Sequence, residues 1–332
     1  MRCPYSSIYA PRPSEPRPRG LRLQWGLSLS DWIASRFRYR RFARGGHNLA
    51  LRYAALTPYW EPHLEATRTA QRGWDVSGKR LLVLGAGRLL DFSIELASRF
   101  QEVMLLDADP ACGGKWRELG SKLKGRVAVD YDLRELTVKY DPWQMHLADR
   151  LSRAAPRVRW QAALGTLAHM IEVPSPHLPH ADAVLSLNVL SQLPIGWQEI
   201  VEELLTESFG KKFVKEHEQE WMEALLPSGR TIVEDHFTAI ASTRCRHALV
   251  ITDTDYTEYR GVPAYSRASY APPPAQGEHT TWSALCNVEL EAMLPGWRRR
   301  KVSEWTWHIA PMGLESEPYG TFHNVAAYRF DI

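Results

Sequence analysis

Much is missing from this chain. Its 332 residues include only four cysteines, Cys3, Cys112, Cys245 and Cys286. No two of them form a Cys-x-x-Cys pair, which argues against both a zinc ribbon and a disulfide framework. No stretch approaches the roughly 20 apolar residues needed to cross a bilayer. Prolines and arginines break up the first residues, so no secretory signal segment is expected there. A reducing cytoplasm is the expected location. No internal repeat is visible, which sets solenoids and propellers aside. His177 and His180 have metal-like spacing, but their proline loop supplies no Cys or acid partner. Asp253 and Asp255 alone do not define a metal site, so none is expected.

Acidic residues are scarce at one end. Residues 1–46 hold ten arginines against Glu15 and Asp31, a net of +8, so the remainder carries −5 of the overall +3. Arginine and aromatic residues interleave between Arg36 and Phe42, a pattern compatible with nucleic acid or an anionic membrane. A projected helix there does not separate its basic and apolar faces, which favours a solvated arm.

An apolar share of 44% with 13 tryptophans is enough for a large core. Three regions are expected. Residues 1–20 are a proline-rich, basic and disordered leader. Residues 21–77 are a helical extension, with helices over 31–44, 47–56 and 62–71. It would act as a lid bearing Tyr59, Trp60, His63 and Arg68. Residues 78–332 form one α/β domain.

The richest stretch runs from Arg80 to Pro110. Leu81 to Leu84 is an all-apolar run, as in a strand buried on both faces of a parallel sheet. Gly85-Ala86-Gly87 follows at once, where glycines permit a tight turn and close approach of a ligand to the backbone. A helix over 89–100 and a strand over 103–106 come next, ending on Asp107. That acid lies 22 residues after Gly85, a spacing suited to a carboxylate that accepts hydrogen bonds from a ribose. The unit predicts a nucleoside-containing cofactor. A dinucleotide fingerprint would place a third glycine where Leu90 stands, which opposes a nicotinamide oxidoreductase.

Further on, helices are expected over 115–123, 142–154 and 194–226, the last stopped by Gly229. Strands are expected over 126–130, 183–187, 230–233 and 248–252, and residues 158–163 read as extended or helical. After a proline-rich loop at 271–276, a helix over 282–293 should precede two final strands, 301–308 and 321–329. No helix separates those two, so they should pair antiparallel.

The run VLGAG, a helix, then LLD resembles the first two motifs of the class I S-adenosylmethionine-dependent methyltransferases. ADAVLSLNVLSQLP, from Ala181 to Pro194, resembles that family's fourth-strand motif. The turn departs from the family at Leu89, where a third glycine is common, and at Val83, where an acid often stands. The resemblance implies a Rossmann-like, mostly parallel sheet with helices on both faces and a C-terminal antiparallel hairpin. It implies S-adenosylmethionine as cofactor, held by Gly85, Ala86, Gly87, Asp107, Ala108, Asp130 and Asn188. Asn188 would also lie near the transferred methyl group. Asn188-Val189-Leu190 does not match the Asn-Pro-Pro-Tyr pattern of amide and N6-adenine methylases, and no Pro-Cys pair supplies a cytosine C5 nucleophile.

Methyl transfer from a sulfonium needs alignment more than covalent catalysis. Where the acceptor must lose a proton, a base is needed. His236, read as the end of the 230–233 strand, is the candidate. A small-molecule acceptor with an oxygen or nitrogen nucleophile is expected. The alternatives are a nucleic-acid methyltransferase that uses the basic arm and a non-catalytic binding module.

Overall fold

In the computed structural model, residues 29–109, 112–123, 127–133, 141–155, 158–169, 178–260, 278–311 and 319–332 are described. The expected leader and the 271–276 loop lie outside them. Eight strands form one sheet: β1 (Gly78–Leu84), β2 (Phe100–Asp107), β3 (Ala128–Leu133), β4 (Ala183–Leu187), β5 (His247–Arg260), β6 (Glu278–Ser283), β7 (Arg298–Ala310) and β8 (Tyr319–Asp331). The order is β3-β2-β1-β4-β5-β8-β7, with β6 on β5. β1 to β5 pair in parallel. β8 lies antiparallel between β5 and β7. This is the Rossmann-like sheet with a terminal hairpin that the methyltransferase resemblance implies.

Helices cover both faces. α4 (Asp141–Arg153), α5 (Arg159–Ala168), α6 (Gln192–Phe209) and α8 (Glu218–Ser242) bury Trp143, Leu147, Leu167, Trp197, Val201 and Phe237 against Leu82, Leu84, Val184 and Val250. The other face buries Leu81, Val83, Leu185 and Leu249 beneath Trp74, Leu96, Trp116 and Leu119. Leu96 belongs to α2 (Ile94–Ala97) and Trp116 to α3 (Gly113–Leu123). Alternate residues of β1 and β4 thus enter opposite cores, which is why Leu81 to Leu84 reads as an unbroken apolar run and β4 as one interrupted only by Ser186.

Several expectations are corrected. The three N-terminal helices are one, α1 (Leu29–Arg72), which runs through Gly45-Gly46, Pro58 and Pro62. Tertiary bonds hold it past its prolines: Trp60 Nε1 donates to Ile309 O at 2.9 Å, and Leu56, Tyr59 and Trp60 pack on Ile309. The helix expected over 89–100 shrinks to α2, because Ser93 is its N-cap and accepts from Leu96 N at 3.2 Å. The helix expected over 194–226 is split at Gly210 (φ 83) into α6, α7 (Lys211–Glu216) and α8.

The strand expected over 230–233 is the middle of α8, whose backbone passes Pro227 and Gly229. Gly229 is there for packing rather than to end the helix, since a Cβ would overlap Cys286 Sγ. The helix expected over 282–293 is not formed: Trp282 and Ser283 end the strand β6, and a turn with one 3-10 helix (Leu290–Ala292) follows. β5 runs well past 252. Its outer half is flanked by β6 and β8, with a bulge between Asp253 and Asp255. Among the described residues no helix is long and apolar enough to cross a membrane.

Candidate functional site

The carboxyl ends of β1, β2 and β4 bring the glycine turn, Asp107 and Asn188 together. Gly85 N and Ala86 N donate to Leu106 O at 3.0 and 3.1 Å, which folds the turn back over β2. Gly85 (φ 75) has a packing role: a Cβ there would lie 2.6 Å from Val189 Cβ and 2.7 Å from Leu187 O. Gly87 differs. Its φ is 48, but a Cβ would meet nothing closer than 3.9 Å, so its open side is free for a ligand. Ala86 is fully buried and points into the core. Leu89, where the family's third glycine is common, takes the left-handed conformation nonetheless (φ 60). Bulk at this position has left the turn's path intact, at a cost of roughly 1–2 kcal/mol.

Asp107 ties the turn to β2. Its Oδ2 accepts from Gly87 N at 2.7 Å and its Oδ1 from Asp109 N at 2.9 Å. Burial pushes its carboxyl up, and the N–H groups of Asp109, Gly87 and Ala108 pull against that. A carboxylate has about four lone-pair directions, so both oxygens keep capacity for another donor. Trp116 Nε1 bonds Gly87 O at 2.9 Å from the neighbouring helix. Burial raises the Cys112 thiol first, and the nearby Asp107 and Asp109 carboxylates add to that, which removes it as a thiolate nucleophile.

Asn188 follows β4 in a left-handed conformation (φ 50), with its N–H on Ile251 O at 2.8 Å. Its Nδ2 donates to Asp91 Oδ2 at 2.7 Å. Its Oδ1 is buried without a hydrogen-bond partner among the described residues. Asp91 went unnoticed in the sequence, where it fell inside an apparent amphipathic helix. It lies instead in the turn before Ser93, and burial raises its carboxyl while the Asn188 bond opposes the rise. A carboxylate flanked by Leu89, Leu90 and Phe92 was the available signal. α1 clamps this turn: Arg68 donates to Leu90 O at 2.6 Å, Gln71 Nε2 to Asp91 O at 2.6 Å, and Ser93 N to Gln71 Oε1 at 2.8 Å.

Two predicted residues are not brought here. Asp130 is exposed and sits in mid-strand opposite Met104, because β3 continues to Leu133. His236 lies on α8, not at a strand end. It is 3% exposed beneath the sheet, with Nε2 2.9 Å from Ser186 Oγ. That is the environment of a packed histidine rather than of a base facing a cleft.

A second polar group gathers beside the first. Ser191 Oγ donates to Asp253 Oδ2 at 2.9 Å, and His323 Nδ1 lies 3.3 Å from the same oxygen. His63 of α1 stacks on Trp307 at 4.0 Å and accepts from Trp305 Nε1 at 3.1 Å. An indole N–H only donates, so neutral His63 carries its proton on Nε2. Burial holds its pKa at about 3.

No family model matches the chain, and no curated protein matches it. Solved structures are similar at low identity. The DhpI–SAH complex is 11% identical with a TM-score of 0.37, covering 90% of this chain and 98% of that one. The N-methyltransferase NodS from Bradyrhizobium japonicum WM9 is 8% identical at 0.31, covering 83% and 98%. Precorrin-6y C5,15-methyltransferase from Geobacter metallireducens GS-15 is 11% identical at 0.26, covering 80% and 86%. Similarity at this level assigns no family.

Proposed function

We propose that this chain is an S-adenosylmethionine-dependent methyltransferase acting on a small molecule. The observation that carries the reading is the bond between Gly87 N–H and Asp107. It joins a glycine turn after the first strand to an acid after the second, at the carboxyl edge of a parallel sheet where ligands bind. The donor's chemical groups fit what is there. Asp107 has acceptor capacity for ribose hydroxyls. The orphaned Asn188 Oδ1 and the Asp91 carboxyl beside it suit an ammonium. Gly87 leaves its ligand side open, and Leu90 in place of a third glycine disfavours a pyrophosphate.

The bound donor supplies a methyl group already activated on a sulfonium. The protein's own part is to hold, orient and dry the reacting atoms. α1 lies over the strand ends and fastens to the 90–93 turn, an arrangement that suits a small acceptor better than a polymer.

Calorimetric titration with S-adenosylmethionine and, separately, with NADH tests this. The methyl donor should bind at micromolar concentration and NADH should not. Asp107→Ala should weaken donor binding at least tenfold, and Asp107→Asn, which keeps an acceptor for Gly87 N–H, should separate ligand contact from support of the turn. Binding of NADH alone, or of neither compound, would sink the reading.

A further inference from the structure

Asp253 is the chain's most conspicuous unused group. Its carboxylate is buried, with Oδ2 engaged by Ser191 and His323, while Oδ1 has no hydrogen-bond partner among the described residues. A buried acceptor left unmade is costly, and more so on a charged group. Its position joins it to the donor side. Ser191 N donates to Thr252 Oγ1 at 3.2 Å, and Ser191 stands three residues after Asn188, whose side chain meets Asp91. One short loop therefore borders both groups. The surroundings are aromatic: Trp307 lies 5.6 Å from the His323 ring, and Tyr256 lies 5.9 Å from it. His63 and Trp305 close the side toward α1.

We propose that Asp253, roofed by α1 and walled by these rings, receives the amino nitrogen of a small amine, making the chain an N-methyltransferase. This rests on the methyl-transfer reading above. Carboxylate and aromatic faces together are the chemistry that holds an alkylammonium. A hydroxyl acceptor brings no positive charge to the carboxylate, whereas an ammonium does. Burial alone would raise the Asp253 carboxyl, but His323 and the Ser191 bond outweigh it and keep it ionised, a poor proton acceptor but a good partner for a cation.

Once the amine has given its proton to bulk water, before α1 closes over it, the nitrogen lone pair forms the new N–C bond as the methyl–sulfur bond breaks, with that electron pair remaining on sulfur. The positive charge passes from sulfur to nitrogen, where the carboxylate stabilises it as it develops. The His63–Trp305 and Trp60–Ile309 bonds hold the roof closed, so entry requires α1 to lift.

The test uses the full chain and matched pairs, benzylamine with benzyl alcohol and n-butylamine with n-butanol. Binding is read from tryptophan fluorescence with S-adenosylhomocysteine present, and products with S-adenosylmethionine are read by mass spectrometry. Each amine should bind at least tenfold tighter than its alcohol, and benzylamine should gain one methyl mass. Asp253→Asn should abolish the preference while leaving methyl-donor affinity within twofold. Equal binding of amine and alcohol in both pairs, or a preference that survives Asp253→Asn, overturns the proposal. Should circular dichroism find the variant unfolded, the wild-type ratios decide alone. Donor binding without an amine preference refutes this proposal and spares the methyl-transfer reading. An amine preference without donor binding refutes the methyl-transfer reading and the N-methyl transfer built on it, and leaves Asp253 as an amine-binding carboxylate alone.

Discussion

Gly85 and Gly87 look interchangeable in the sequence, yet the structure predicts different costs for filling them. Gly85→Ala meets two penalties. The first is a left-handed backbone at φ 75, worth roughly 1–2 kcal/mol for an L-residue. The second is overlap with Val189 Cβ at 2.6 Å and Leu187 O at 2.7 Å. The carbonyl belongs to β4 and cannot swing aside, so overpacking adds roughly 1–3 kcal/mol. Gly87→Ala meets the first penalty alone, since its nearest neighbour would lie 3.9 Å away. The expected losses are about 2–5 and about 1–2 kcal/mol, against a typical total of roughly 5–15. Guanidinium unfolding of both variants, with slopes compared to confirm two-state behaviour, measures the gap. Methyl-donor titration should reverse the ranking among folded molecules, because the added methyl of Gly87→Ala stands on the open side of the turn. Equal stability losses would refute the assignment of Gly85 to packing.

Further tests follow from the buried charges and the clamp. The raised carboxyl of Asp91 favours its neutral form in the folded state, so wild-type stability falls as pH climbs above the unfolded value of about 4. Asp91→Asn should therefore be the more stable protein at pH 7, with the gain vanishing near pH 4 in thermal melts, and it should bind the methyl donor at least tenfold more weakly. His63 has the opposite slope. Its pKa is depressed to about 3, so stability is full above 6.5 and is lost as pH falls toward 3. That loss reaches up to roughly 5 kcal/mol, and His63→Phe should flatten it over the same window. Gln71→Ala removes both side-chain bonds to the 91–93 segment and should speed amide exchange at Ser93 in hydrogen-exchange measurements. Deleting residues 1–28 should leave methyl-donor affinity within twofold by calorimetry.

The sheet was legible because burial on both faces leaves an unmistakable trace in β1, β2 and β4. The terminal hairpin was legible from two strand-like runs with no helix between them. Helix limits were harder. The apolar spacing of Leu90, Ile94 and Ala97 hid the cap at Ser93, which only the structure shows. In α1 and α8, tertiary contacts carry the backbone through Pro58, Pro62 and Pro227, residues that local propensity treats as stops. His236 was misplaced for that reason, since reading Gly229 as a terminus turned the following residues into a strand. Gly85, Gly87, Asp107 and Asn188 could be placed at the carboxyl edge of the sheet because they follow or end strands at set spacings. Asp91 and the Asp253–His323–His63 group could not. Those three residues come from β5, β8 and α1, and only the folded sheet brings positions 63, 253 and 323 together.

One helix fastens to both places where ligands are proposed to sit. Near its C-terminus, Arg68 and Gln71 grip the turn beside Asp91. About two turns earlier, Trp60 and His63 lie against β7 over Asp253. A rigid rod pinned at two points is a lever. If loading the turn lowers or raises α1 even slightly, the free energy of that displacement enters the affinity at the other end, and linkage makes the exchange equal in both directions. The order in which two reactants arrive and two products leave would then be written into the pitch of a single helix rather than into either pocket.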